Sequence, residues 1–424
     1  MGSIVGSSAA NVATTGSFTI PMMKRNGVPP RYAGAIESIA STAGQILPPV
    51  MASAAFLMAD LLGISFFEVI RAASLPAALF YTSLVFTVVL LVAKNGWSAT
   101  ELSGPSSNGT MNINIRGRLR TPLYYLTWIV PVGVIVYSLI VLRYSPLAAG
   151  LWAIISLLVL TFLRDLSQYG LSITSIQKWQ RKTIEGFKLG VVNMAPLAAV
   201  LASLGIVVQI IGRTGFAQRF SLQVIGLAGG VFLFVVILVM ASSVFFGLGM
   251  PTPAAYIVVA LIAAPAMINL GVAELNAHMF VLYFAVLSTI TPPVAVSCAV
   301  ASNIAEADFL EVAFETVRIG LFAFMIPYAF LFNSELIYWD GLYTVGAFSV
   351  VMVGLWGMAV GLIGHNLSDE IRTSKRVGYL LAGLAVIFIP NMGIQIAAGG
   401  ALLLVMGYNK LNSGTTTWGD PTQG

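Results

Sequence analysis

Two consecutive prolines, Pro48 and Pro49, interrupt an apolar segment that would otherwise form a continuous membrane helix. The surrounding stretch, Ser41 to Ala55, has the sequence STAGQILPPVMASAA, in which hydroxyls, a glycine and an amide precede the prolines. Proline lacks an N–H group and clashes with the preceding turn, so we expect the helix to break near Gly44. Broken backbone is tolerated in a bilayer only where protein or a water-filled cavity satisfies it. The stretch therefore predicts a polar site inside a membrane protein.

A second stretch, Ser288 to Ala299, repeats this design with the sequence STITPPVAVSCA. A shift of 244 residues places PPVMASAA over PPVAVSCA, with five of eight positions identical. The same shift aligns other prolines, methionines, glycines and valines: Pro21, Met23, Gly27 and Val28 with Pro265, Met267, Gly271 and Val272. Matches that keep one register over some sixty residues indicate an internal repeat.

The composition is that of a membrane protein. Hydrophobic residues make up 58% of the 424 residues, charged residues 9%, and the mean hydropathy is +0.91. A soluble domain carries roughly 25% charged residues. We therefore predict an all-α polytopic membrane protein. The single cysteine, Cys298, excludes an intramolecular disulfide bond.

The apolar segments predict four parts of the chain. The first repeat occupies 1–93, and spans and cytoplasmic loops that link the two repeats occupy 94–188. The second repeat occupies 189–335, and a C-terminal membrane extension and tail occupies 336–424. Each repeat is predicted to hold a re-entrant hairpin and a broken helix, and the first hairpin is predicted to be incomplete. Further expected segments are a surface connection at 164–188, spans at 189–211 and 310–332, a hairpin at 221–268, and a last apolar region interrupted at Pro390-Asn391.

Charge placement predicts that the two repeats are inverted. With the Lys24 loop in the cytoplasm, the predicted topology puts twelve Lys and Arg residues on the cytoplasmic side and four opposite. This bias follows the positive-inside rule. Five crossings separate the two hairpin tips, so the second repeat enters from the other side. Inverted repeats with discontinuous helices are the architecture of secondary transporters.

Polar side chains at the tips and breaks predict two half-sites for sodium. Exposed carbonyls and hydroxyls suit a small hard cation, and helix N-termini favour an anionic substrate group. The alternative for any single hydroxyl is an ordinary hydrogen bond between helices. The sequence predicts no membrane-centre carboxylate suited to a proton relay. The first half-site is predicted to comprise Ser7, Ser8, Asn11, Ser41, Thr42, Gly44 and Gln45, and the second Gly249, Thr252, Ser288, Thr289 and Thr291, beside the helix breaks at Pro48, Pro49, Pro292 and Pro293.

The same residues carry a family resemblance. The chain resembles the large membrane subunit of TRAP transporters of the fused TAXI type. The first hairpin and broken helix of that subunit are similar to GSSAANVATTGSFTIPMMKRNG followed by GAIESIASTAGQILPPVMASAAFLMA. Its second hairpin and broken helix are similar to FFGLGMPTPAAYIVVALIAAPAMINLGV followed by AVLSTITPPVAVSCAVASNIAEADFLEVAFE. The resemblance covers about residues 1–335.

The resemblance implies an elevator-type symporter in the bacterial cytoplasmic (inner) membrane, and not an enzyme. Sodium ions would be the coupling ions, and the solute would be an organic anion delivered by a soluble periplasmic binding protein. A small membrane subunit, normally fused upstream, would be a further partner, and nucleic acid would not.

The resemblance also leads us to expect an N-terminally truncated permease, because only five residues precede the GSS motif. Two other functions stay open. One is a dicarboxylate-type symporter that takes free solute without a binding protein. The other is a non-transporting membrane scaffold subunit, against which the polar clusters at both breaks argue.

Overall fold

The computed structural model of the chain describes residues 2, 6–97, 122–170, 172–367 and 369–412. In these residues the chain is almost entirely helical, with one short hairpin of strands β1 (His365–Asn366) and β2 (Asp369–Glu370). The predicted loop 94–120 beyond Trp97 and the predicted tail beyond 412 lie outside the described residues. The helices are α1 (Ser8–Asn11), α2 (Ser17–Arg25), α3 (Pro30–Ala43), α4 (Ser53–Leu62), α5 (Phe66–Asn95), α6 (Pro122–Ile140), α7 (Pro146–Tyr169), α8 (Ile173–Thr214), α9 (Phe216–Leu227), α10 (Phe232–Gly247), α11 (Thr252–Ile262), α12 (Ala264–Ile268), α13 (Glu274–Leu287), α14 (Val296–Ala305), α15 (Phe309–Ile319), α16 (Leu321–Phe332), α17 (Glu335–Tyr338), α18 (Gly341–Ile363), α19 (Thr373–Phe388) and α20 (Met392–Asn412).

Four of the described helices are long and apolar enough to cross a bilayer. About 20 apolar residues are needed for one crossing. Together with the helical content, this confirms the prediction of an all-α membrane protein. The four segments are Phe66–Asn95, Pro146–Ser167, Ile173–Thr214 and Gly341–Ile363.

The chain divides into two compact units. The first comprises Met1–Ala54, Ile70–Glu101 and Gly215–Gly424, and the second Ala55–Val69 and Leu102–Thr214. Both proline breaks lie in the first unit.

In the second unit, α8 is one helix of 42 residues. The predicted surface connection at 164–188 and the predicted span at 189–211 are therefore continuous within α8 from Ile173 onward. The N-terminal part of α8 is held against α7 by the Lys182 ammonium, 2.8 Å from the buried carboxylate of Asp165. The Trp179 indole N–H also donates to Thr161 Oγ1, at 3.3 Å. These side-chain contacts let charged residues continue a helix that is apolar further along.

In the first unit, α10 and α11 are the arms of a hairpin. Its base is closed by Asn269, whose Nδ2 donates to Ser221 Oγ at 3.1 Å. The N-terminal part of the predicted hairpin 221–268 is not one helix, because the chain turns between α9 and α10. Gly229 and Gly230 take φ values of 59° and 73° there, a conformation that favours glycine.

A second glycine divides the predicted span 310–332 into α15 and α16. A Cβ on Gly320 would lie 2.7 Å from Ile39 Cδ1 and 2.9 Å from the Thr316 carbonyl oxygen. The predicted span 310–332 is thus interrupted at Gly320, where α3 packs too closely for a larger residue. The predicted interruption at Pro390-Asn391 is confirmed, since α19 ends at Phe388 and α20 begins at Met392.

Candidate functional site

The first break (44–49) replaces the helix between α3 and α4. A single 3₁₀ turn, Gly44–Ile46, follows α3, and the Pro48-Pro49 peptide bond is cis. The Gln45 carbonyl accepts a hydrogen bond from the Ala52 N–H at 2.8 Å, which closes the loop. Ser41, Thr42, Gly44 and Gln45, which the sequence analysis selected, are all buried at the end of α3.

The second break (288–293) has the same local structure. A 3₁₀ turn, Ser288–Ile290, ends α13, and the Pro292-Pro293 peptide bond is also cis. Positive φ angles occur at Met51 (62°) and Ala295 (35°), which are 244 residues apart like the prolines. The two breaks therefore share turn type, proline geometry and the position of the left-handed residue.

The first tip (7–11) lies between the two breaks. Asn11 Nδ2 donates to Ser41 Oγ at 3.0 Å, beside the first break. Ser8 Oγ instead contacts the second break, where it donates to Thr289 Oγ1 at 3.1 Å. It also accepts from Ser297 Oγ, just beyond that break, at 2.6 Å. The tip thus bonds to both halves of the site, although the sequence analysis assigned it to one.

The second tip (247–253) also contacts both breaks. Gly247 lies directly against Ser288, where a Cβ would collide with the serine side chain. Thr252 Oγ1 donates to Gln45 Oε1 of the first break at 2.9 Å, and Thr252 is buried. Gly249 has φ 75° and lies at the exposed turn of the hairpin. The tips and breaks therefore form one polar cluster, in which the first tip bonds to Ser41 beside the first break and to the second break, and the second tip contacts both breaks.

Several of the selected hydroxyls bond to their own helix. Thr42 donates to the Ser38 carbonyl, Thr291 to the Leu287 carbonyl, and Ser288 to the Ala285 carbonyl, each at 2.8 Å. Ser7 is exposed, and its side chain accepts from the Ala10 N–H at the start of α1. These four residues are close to the cluster in sequence, but their hydroxyls take no part in the bonds that join the two halves.

Two members of the cluster were missed by the sequence analysis. Ser297, at the start of α14, is fully buried against Ser8. Glu37 is a buried residue of α3 whose Oε1 accepts from Ser41 Oγ at 3.1 Å. Glu37 thus adds a carboxylate to the hydroxyls and amides selected from the sequence. Its sequence signal is its position one helical turn before Ser41, on the same face of α3.

The sequence of the whole region identifies its family. A family model for the DctM component of the tripartite ATP-independent periplasmic transporters matches residues 1–341. The chain belongs to this family. The chain is thus a membrane component of a TRAP transporter, and the two breaks and both tips fall within the matched residues. A tripartite transporter of this kind implies two partners, a periplasmic binding protein and a small membrane subunit. No curated protein matches the chain significantly.

Proposed function

We propose that this DctM-family chain is the permease of a sodium-coupled symporter of the TAXI type. It imports an organic anion that a soluble periplasmic binding protein delivers, across the bacterial inner membrane. The observation that carries the proposal is the polar cluster in which both tips contact both halves of the site. A permease needs polar groups inside an apolar protein, and this cluster concentrates them at one place.

The proposed fold is an inverted repeat with two re-entrant hairpins and two broken helices. Its support is the common register of the breaks, with prolines and left-handed residues separated by 244 positions. Discontinuous helices of this kind hold substrate and coupling ions at the repeat interface of secondary transporters. The proposed transport motion is of the elevator type.

The proposed coupling ions are sodium ions, bound by oxygen atoms at the two half-sites. Helix breaks leave carbonyl oxygens without intrahelical partners, and hydroxyls and amides add further oxygen ligands. The proposed ligands are those selected from the sequence: Ser7, Ser8, Asn11, Ser41, Thr42, Gly44 and Gln45 in the first half-site, and Gly249, Thr252, Ser288, Thr289 and Thr291 in the second.

Uptake into proteoliposomes tests this function. The transporter membrane component containing this chain is reconstituted, and the binding protein encoded with it is purified. Thermal shift of the binding protein against a panel of organic anions selects the solute, which is then radiolabelled. We expect accumulation only with an inward sodium gradient and with the binding protein outside.

Three outcomes contradict the proposal in different ways. Uptake of free solute without the binding protein indicates the dicarboxylate-type symporter. Unchanged uptake on a proton gradient in sodium-free buffer contradicts sodium coupling. No uptake of any solute held by the binding protein, by a correctly inserted membrane component, indicates a scaffold subunit.

A further inference from the structure

Glu37 is a buried carboxylate with no cationic partner in the structure. The residue is 6% exposed and lies in the middle of α3. Among the described residues, the ion pairs involve other acidic groups, and no Lys, Arg or His lies within 4 Å of the Glu37 carboxylate. A buried charge is costly unless a charge of opposite sign or a bound cation compensates it.

The contacts of Glu37 are hydroxyl groups from three helical segments. Thr15 Oγ1 donates to Oε1 and Thr19 Oγ1 to Oε2, each at 2.5 Å, while Ser41 Oγ lies 3.1 Å from Oε1. The same threonine hydroxyls also face backbone carbonyls, at 2.8 Å from the Asn11 oxygen and 3.0 Å from the Thr15 oxygen. A hydroxyl has one proton and cannot serve two acceptors at once. The cluster therefore holds more acceptor oxygens than donated protons.

Asn11 adds a further acceptor. Its side chain is 94% buried, Nδ2 donates to Ser41 Oγ, and Oδ1 on the same amide group has no hydrogen-bond partner. The Asn11 amide and the uncompensated Glu37 carboxylate share Ser41 as a partner, and a cation would satisfy both the carboxylate and the orphaned oxygen.

The backbone is adapted to this cluster. A π-helix, Val12–Gly16, separates Asn11 from Thr19 and brings Thr15 toward α3. Short π-helical turns inside α-helices occur frequently at functional sites. A Cβ on Gly16 would lie 3.2 Å from Glu37 Cγ, so glycine permits the close approach of the carboxylate.

We propose that Glu37 supplies the negative charge of a sodium site, completed by oxygens of Thr15, Thr19, Ser41 and Asn11. The inference rests on the proposed sodium-coupled function and gives its first half-site an anionic ligand. A hard cation prefers oxygen ligands. One carboxylate neutralises one monovalent ion, whereas a divalent ion would leave an uncompensated buried charge.

The site belongs to the first half of the cluster only. At the register of 244 residues, the positions that correspond to Thr15, Thr19, Glu37 and Ser41 are apolar: Val259, Ala263, Val281 and Ala285. The two halves therefore hold different ion-binding chemistry, even though their breaks share one local structure.

Sodium-dependent thermal unfolding of the detergent-purified protein tests the inference without any transport. Intrinsic tryptophan fluorescence is followed at increasing sodium chloride, with choline chloride holding the ionic strength constant. We expect the unfolding midpoint of the unmodified chain to rise with sodium. In Glu37→Gln, which keeps shape and removes charge, the sodium concentration for half the effect should rise about tenfold or more.

Two controls separate ion binding from a structural role. Glu311→Gln removes the same charge from an exposed carboxylate and should keep the sodium response. Thr15→Ser keeps the hydroxyl and should retain the response, whereas Thr15→Val should weaken it. If Glu37→Gln unfolds too readily for melting curves, equilibrium dialysis of ²²Na⁺ against its folded fraction replaces them.

An unchanged sodium response in Glu37→Gln overturns the inference. So does a wild-type unfolding midpoint that does not change with sodium concentration. A wild-type response that follows pH and not sodium would assign the cluster to a proton and also overturn it. These results are independent of the uptake assay. Sodium binding at Glu37 with no uptake contradicts only the proposed function, and uptake that needs the binding protein with no role for Glu37 contradicts only this inference.

Discussion

Gly247 is the residue with the least room in the polar cluster. Because a Cβ there would collide with the Ser288 side chain, Gly247→Ala must displace the second tip from the second break. We expect the free energy of unfolding to fall by about 1–3 kcal/mol, as is typical of overpacking. The measurement is the thermal unfolding midpoint of the purified protein. As a control, Gly226→Ala in α9 meets no atom within 4 Å and should leave the midpoint unchanged or slightly raised. Equal losses in the two variants would contradict the packing argument.

Individual residues show how far the sequence could predict the site. Asn11 and Ser41 were selected because hydroxyls and amides beside a proline break are unusual, and they do bond to each other. The partners of Ser8 and Thr252 could not be predicted, because each reaches the opposite half of the cluster and this depends on tertiary packing. Glu37 was missed because one charged letter in an apolar helix gives no indication of depth.

Some helix interruptions follow from local chemistry, and others follow from tertiary packing. Both proline breaks were predictable from the chain alone, since a missing N–H group acts whatever surrounds it. The interruption at Gly320 was not, because glycine occurs in many continuous helices and only the approach of Ile39 makes it necessary here. The chemistry of proline alone therefore predicts the two breaks, whereas the interruption at Gly320 depends on a contact with a distant helix.

The hairpin of α10 and α11 gives a prediction about its two ends. Arg219, shortly before the base of the hairpin, and Ala273, just after it, are exposed and should lie on one face of the membrane. In a Cys298→Ala background, Arg219→Cys and Ala273→Cys should both react with an impermeant maleimide added to the same side of oriented vesicles. Ala273 is preferable to Gly271, whose φ of 90° would strain a cysteine. Labelling from opposite sides would mean that the segment between these residues crosses the membrane once, and it would refute the hairpin.

The first unit is closed by bonds between the beginning of the chain and its last third. Ser8 bonds to Ser297, and Lys24 bonds to the Ala305 carbonyl at 2.8 Å and to Glu306 at 3.0 Å. The membrane class was predictable from composition, since 9% charged residues cannot cover a soluble domain. The bonds between the start of the chain and residues 297–306 were not predictable, because no local sequence signal in either segment indicates that the two segments meet.

A double-mutant cycle tests this closure. Ser8→Ala and Ser297→Ala remove the two ends of one buried hydrogen bond, so the double variant should lose less stability than the sum of the single variants. We expect a coupling free energy of about 0.5–3 kcal/mol, from unfolding midpoints measured in detergent. Ser349, which is exposed and bonds to its own helix, supplies the control. The stability losses of Ser8→Ala and Ser349→Ala should be additive. Additive losses for Ser8→Ala and Ser297→Ala as well would refute the coupling.

The bonds of Ser8 also have a consequence for biosynthesis. Thr289 follows Ser8 by 281 residues. At about 5–20 residues per second, the ribosome takes roughly 14–56 s to add that length of chain. During this interval the nascent first tip has no access to its final partner, and its polar groups must be satisfied by water or by the insertion machinery. The first tip can therefore complete its hydrogen bonds only after the second break has been synthesised.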